Sequence, residues 1–206
     1  MIDTPDTYYT VAGKGESVIR EKASKFIGLA FPINSETEAK EVLLGIRKKY
    51  YDANHHCYAY CFGLTREIYR LSDDGEPSGS AGRPIHGQLL SKDVSDTLVI
   101  VVRYFGGTKL GIPGLITAYR QAASEALDQA GKTERIIKLN LRVNFPYEKM
   151  NEVMKIQKEE ELDIVGQVFD NDCSITLAVR KSKADKVLSK YMRISNIYTL
   201  VDNQTK

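Results

Sequence analysis

Long apolar runs are missing from this sequence. None approaches the ~18 residues that a membrane span needs. Met1 to Asp6 holds two acids and a proline, where a secretory leader would need a basic stretch followed by an apolar one. A cytoplasmic protein without membrane segments is expected. Cysteine is scarce: the three residues are an odd number, and Cys57 and Cys61 lie too close along one apparent strand to bridge easily. No disulfide framework is implied, which fits a reducing compartment. Net charge is small as well, +2 from 29 basic and 27 acidic residues, so bulk charge does not announce a nucleic-acid partner and any such binding needs a local patch. What is present is ordinary for a folded chain. With 42% apolar and 27% charged residues the sequence is neither disordered nor collagen-like, and 206 residues at about 150 per domain make one large domain or two small ones.

The C-terminal third has the clearer pattern. Leu139, Leu141, Val143 and Phe145 alternate with polar residues as in a half-buried strand. A helix is expected from about Pro146, with Met150, Val153, Met154 and Ile156 apolar and the Glu159–Glu161 run on a solvated face. Ile164 to Phe169, a turn at Asp170-Asn171-Asp172, and the alternation of Cys173, Ile175, Leu177 and Val179 predict a hairpin. Ser182 with Asp185 predicts the capped start of another helix, and Asn196 to Val201 a last strand. The order βαββαβ is the split βαβ, ferredoxin-like plan.

Upstream, Tyr8–Val11, Ser17–Ile19 and Phe26–Ile33 predict three antiparallel strands. A capping box of Ser35 and Glu38 opens a helix to about Tyr51. His55–Phe62 and Ile68–Leu71 are further strands, and Pro84–Leu90 a short helix begun by proline. Leu98–Val102 is a continuous apolar run, typical of a strand covered on both faces. Leu115, Tyr119, Ala122, Ala126 and Ala130 form the buried stripe of a helix stopped at Gly131. The polar stretch Gly131–Arg135 then divides the chain into domains 1–134 and 135–206. The first holds 16 basic and 17 acidic residues and the second 13 and 10, so neither is a basic arm.

Three segments could carry chemistry. The Gly-rich loop from Arg103 to Gly114 joins a buried strand to a helix start, where free N–H groups favour an anion. Gly106, Gly107 and Gly111 permit close approach, Arg103 and Lys109 supply charge, and Tyr104 or Phe105 a stacking face. Its spacing matches neither the P-loop nor GxGxxG, and a tight turn whose glycines only solve a packing problem is the competing reading. The loop from Ser72 to Pro84 gathers Asp73, Asp74 and Glu76 with three serines and three glycines. Those carboxylates suit Mg²⁺, or Asp73 or Asp74 fixes the loop by accepting backbone N–H bonds or pairing with Arg83 or Arg103. Finally, His55-His56-Cys57 and Cys61 invite a zinc reading that period two dissolves: His56 points away from Cys57, and Cys61 lies about 13 Å further along an extended strand at ~3.3 Å per residue. Buried structural cysteines are expected, and no metal.

Taken together these segments resemble the YigZ/IMPACT family over essentially the whole chain. The resemblance lies in Asp73 to Pro84, in Val101 to Gly107 and in Leu110-Gly111, with support from Lys22–Ile27, Ala53–Ala59 and Ala118-Tyr119. It departs at Pro113-Gly114 and Arg120-Gln121. The resemblance implies an α+β protein whose N-terminal β/α domain has the ribosomal-protein fold shared with elongation factor G and the GHMP kinases, ahead of a ferredoxin-like domain. It also implies a role in translation regulation, with no cofactor and no enzymatic activity that follows from it. The expected partner is RNA, the ribosome or a translation-regulatory protein, met through Arg83, Arg103, Tyr104, Gly106, Gly107, Lys109 and Gly111. A metal-dependent, nucleotide-handling enzyme using Asp73, Asp74 and Glu76 is the alternative.

Overall fold

The computed structural model describes residues 6–202 apart from 171 and 195. Among them the chain is a mixed α and β protein with antiparallel sheets. It forms two compact units, one of Tyr8–Arg135 and one running from Ile136 that also takes Asp6 and Thr7.

In the first unit, strands β2 (Gly15–Glu21) and β3 (Ser24–Pro32) form a hairpin whose two turn residues, Lys22 and Ala23, both take positive φ, at 43° and 64°. That conformation matches the twist of the flanking strands. β3 pairs with β6 (Thr97–Tyr104), β6 with β4 (His55–Phe62) and β4 with β5 (Ile68–Ser72), every pair antiparallel, in the order β2-β3-β6-β4-β5. Period two splits the side chains between two cores. Phe26, Cys57, Ala59, Cys61, Val99 and Val101 face helices α2 (Gly82–Ser91) and α3 (Gly111–Ala130). Ile27, Leu29, Tyr60, Leu98, Ile100 and Val102 face Ala39, Val42, Leu43 and Ile46 of α1 (Glu36–Lys49). Because β6 is central and covered on both sides, its apolar run is continuous, as the sequence indicated.

The alanines of α3 let it lie against the sheet. A Cβ on Gly28 would stand 2.3 Å from the Ala122 carbonyl oxygen, and one on Gly15 2.1 Å from that of Ala126, so both positions require glycine. At α1, Ser35 Oγ accepts the Glu38 N–H at 3.1 Å as expected, while the Glu38 carboxylate reaches back to Asn34 N at 2.7 Å. Two expectations are corrected. β1 (Thr7–Val11) does not join β2 and β3, and Gly131–Arg135 is not a plain linker. Gly131, at φ 69°, turns the chain out of α3 into β7 (Lys132–Ile136), which pairs with β1 as a separate two-stranded sheet.

The second unit runs β8 (Lys138–Pro146), α4 (Met150–Glu159), β9 (Asp163–Val168), β10 (Asp172–Arg180), α5 (Ala184–Tyr191) and β11 (Tyr198–Asp202). The predicted βαββαβ order is present, with sheet order β11-β8-β10-β9. Leu141, Val143, Phe145, Ile175, Leu177 and Val179 pack on Val153, Val187 and Tyr191 of the two helices. Here too the structure corrects two expectations. Ser182 does not cap α5: it lies within a 3-10 turn, Lys181–Lys183, that leads into the helix, and Lys183 is the N-cap, while Asp6 pairs with Arg180. The Glu159–Glu161 run is not simply solvated: the Glu160 side chain is 7% exposed and pairs with Lys190 at 2.5 Å and Lys186 at 3.1 Å.

Candidate functional site

Antiparallel pairing brings four connections to one end of the five-stranded sheet: the β2–β3 turn, the segment before β4, the β5–α2 loop and the β6–α3 loop. Arg103 is their junction. Its register opposite Phe26 and His55 turns it toward the α2–α3 side, where it is 5% exposed. Nη1 donates to Glu76 Oε1 at 2.6 Å, Nη2 to Ser24 Oγ at 3.3 Å, and the guanidinium lies 5.3 Å from the ring centres of both Phe26 and Phe105. The same Glu76 oxygen accepts the Tyr119 hydroxyl at 2.7 Å, and Cys57 Sγ lies 3.3 Å from that hydroxyl. One buried polar chain therefore ties β4, α3, the acidic loop and β6 together. The 73–84 and 103–114 loops are neighbours, and the acid that meets Arg103 is Glu76, not Asp73 or Asp74. Burial pushes the Cys57 thiol and the Tyr119 hydroxyl far up, which leaves Cys57 inert as a nucleophile.

The remaining loop acids are also taken by the protein itself. Asp73 accepts the N–H groups of Gly79 at 2.8 Å, Ala81 at 3.0 Å and Gly82 at 2.8 Å, and so caps α2, whose N-cap Ala81 has no capping side chain. Asp74 bonds Arg47 Nη2 and the His56 N–H, each at 2.6 Å, while its carbonyl meets His55 Nδ1 at 2.8 Å. Burial alone would raise both carboxyls. The N–H donors around Asp73 and Arg47 beside Asp74 overcome it, and both pKa values are lowered. Among the described residues no three His, Cys, Asp or Glu side chains are placed to hold a metal ion. Cys57 and Cys61 are buried under the helices, and burial raises the Cys61 thiol to about 11.

The expected binding residues thus divide. Arg103 is internal. Tyr104 is half-buried on the α1 side and donates its hydroxyl to Asp52 at 2.7 Å. Gly106 is pressed against the hairpin turn, where a Cβ would stand 2.1 Å from the Ala23 carbonyl carbon, and its N–H donates to Ser24 Oγ at 3.2 Å. Gly107 and Gly111 have φ of 84° and 72° and, with Lys109, form the exposed rim. Arg83 is exposed beside Gly79. Reasoning from charge and glycine alone missed Ser24, Asn54, Tyr119 and Arg47. Asn54 Oδ1 accepts the Phe105 N–H at 2.8 Å and its own N–H donates to the Arg103 carbonyl at 3.0 Å. The segments Lys22–Ile27, Ala53–Ala59 and Ala118-Tyr119 did hold three of these four residues.

A family model described as the Impact N-terminal domain matches residues 22–127, a span that contains every residue of this site. The IMPACT family member YvyE of Bacillus subtilis (strain 168) is 37% identical over 155 residues, covering 75% of this chain and 71% of that protein. The IMPACT family member YigZ of Escherichia coli (strain K12) is 39% identical over 116 residues, covering 55% and 57%. A crystal structure of a hypothetical protein superposes with a TM-score of 0.75 at 26% identity over 96% of this chain and 98% of that one.

Proposed function

The chain belongs to the IMPACT family, and from that premise we propose that it is a cytoplasmic, translation-associated regulatory protein that binds RNA, free or within the ribosome. The contact surface is the loop-bearing end of the five-stranded sheet. One observation carries the reading: the carboxylates of Asp73, Asp74 and Glu76 are all satisfied internally, while Lys109, Lys22 and Arg83 remain exposed around the glycine rim. Lys22, Arg83 and Lys109 are thus exposed cations at this end of a nearly neutral chain, and phosphate contacts give affinity without large net charge. Lys109, Arg83 and the backbone of Gly107 and Gly111 meet phosphate in this reading, and Arg103 and Gly106 hold the loops that present them. In the same proposal domain 1–134 has the ribosomal-protein fold shared with elongation factor G and the GHMP kinases and domain 135–206 is ferredoxin-like, with Asp6 and Thr7 grouping with the second and Arg135 with the first. Among the described residues no helix is long and apolar enough to cross a membrane.

The test is binding of RNA and of ribosomes across a salt series. Lys109→Ala is expected to weaken binding and to lower the slope of log K against log salt by about one, the loss of one phosphate contact. Affinity and slope unchanged in a folded Lys109→Ala protein would remove this residue from the surface. Binding only to a regulatory protein, and to no RNA, would replace the reading.

A further inference from the structure

We infer that Phe105 is a stacking platform for an unpaired nucleobase, so that the RNA recognised here is single-stranded at the point of contact. The inference deepens the RNA-binding reading above and rests on it. Phe105 is 43% exposed although it directly follows the buried central strand β6. The backbone holds it there from both sides. Its own N–H is bound by Asn54 Oδ1 at 2.8 Å, and the next N–H, of Gly106, by Ser24 Oγ at 3.2 Å, with Gly106 packed on the β2–β3 turn. The Arg103 guanidinium stands 5.3 Å from the ring centre, and that guanidinium is itself fixed by Glu76 and Ser24 and lies 5.3 Å from Phe26. An exposed ring is thus preorganised by four separate segments, and ordering it again on binding has little entropic cost.

The surroundings suit a nucleic-acid strand. Lys22 is exposed on the turn that Gly106 touches, and Lys109 follows four residues after the ring. Glu21 is the exposed acid at the same turn, and Asp52 accepts the Tyr104 hydroxyl. Tyr51, 84% exposed, stands on the segment whose Asn54 anchors Phe105. Between the two aromatic residues at the end of β6, the structure assigns stacking to Phe105, because the Tyr104 ring is packed on the α1 side and its hydroxyl is engaged. Base stacking on an aromatic ring flanked by cations is the recognition mode of unpaired strands, whereas a duplex offers its phosphates and hides its base faces. Arg103 is a positioning residue here, holding the ring and touching no base.

The experiment compares a fluorescently labelled twelve-residue oligouridylate with an RNA duplex of the same length, for the full chain and its Phe105→Ala and Phe105→Tyr variants, each checked for folding by urea unfolding. Single-strand affinity is expected to fall about five- to 150-fold in Phe105→Ala, which is ~1–3 kcal/mol at 1.4 kcal/mol per tenfold, with no change of salt slope. Phe105→Tyr should bind nearly as the unaltered chain, and duplex affinity should move less than about twofold in either variant. Equal losses on single strand and duplex, or no loss in a folded Phe105→Ala protein, overturn the platform while leaving phosphate-based RNA binding intact. Absence of any RNA binding by the unaltered chain overturns the platform together with the proposed function.

Discussion

Three acids stand close together twice in this chain, as Asp73, Asp74 and Glu76 in the β5–α2 loop and as Glu159, Glu160 and Glu161 at the end of α4. The composition is similar and the outcome differs. In the loop each carboxylate is directed at a fixed donor: three N–H groups for Asp73, Arg47 and an N–H for Asp74, a buried arginine and a tyrosine for Glu76. At the helix end Glu160 collects two lysines from α5, and Glu159 stands 3.6 Å from Lys190 and 3.9 Å from Lys155. Rigid backbone and guanidinium donors in a low-dielectric setting make the first group a structural element of the site. Flexible ammonium partners, Lys186 at 66% and Lys190 at 32% exposed, place the outer half of the second network in water, where salt screens it even though the Glu160 carboxylate is covered. Whether an acid is available to a metal or ligand thus depends on which donors the fold has already brought to it.

That contrast can be broken most directly at Glu76. Glu76→Ala leaves Arg103 as a buried charge without its anion and the Tyr119 hydroxyl without its acceptor, and is expected to lower unfolding free energy by about 3–5 kcal/mol in urea titrations. A loss below about 1 kcal/mol would mean that water or another acceptor replaces the carboxylate. Asp73→Asn should cost less, about 1–3 kcal/mol, because one of the two oxygens that accept the N–H groups of Gly79, Ala81 and Gly82 becomes an NH2 that cannot accept. The same variant sharpens the comparison through pH. The folded pKa of Asp73 lies below its unfolded value of about 3.9, so the unfolded chain binds more protons between the two. Its contribution is therefore complete above about pH 4 and is lost as pH falls through the folded value. The urea midpoint of the unaltered chain should drop on going from pH 6 to pH 3, with a smaller drop in Asp73→Asn. Identical acid limbs would show that Asp73 is not among the groups responsible. The smallest effect belongs to Glu160→Gln, which should shift the melting temperature slightly at low salt and not at all at high salt. A shift that survives high salt would place Glu160 with the loop acids.

Much of the architecture is legible because it follows from local periodicity. The alternation from Leu139 to Phe145, the two-sided apolar run at Leu98–Val102 and the Ser35–Glu38 cap all depend on neighbours within a few residues, and they are present in the structure. β7 was obscure because it is five residues long and mostly faces solvent, so it shows no strong pattern; β1 was legible as a strand at Tyr8–Val11, but its partner was not, since the pairing joins segments some 120 residues apart. At the site, glycine and charge density marked the two loops, yet the choice of partner was hidden: Asp73, Asp74 and Glu76 are chemically alike in sequence, and only register places one of them against Arg103.

By itself, then, the sequence determined the two-sided burial of β6 and the βαββαβ order of the second unit, since periodicity leaves little else. Tertiary structure alone decided that Arg103 is internal, that Asp73 caps α2 from nine residues away from Gly82, and that Phe105, not Tyr104, keeps an open ring. The physical reason is that these outcomes depend on where long-range strand pairing puts a donor to within a few ångströms, and no pattern of near neighbours encodes that distance.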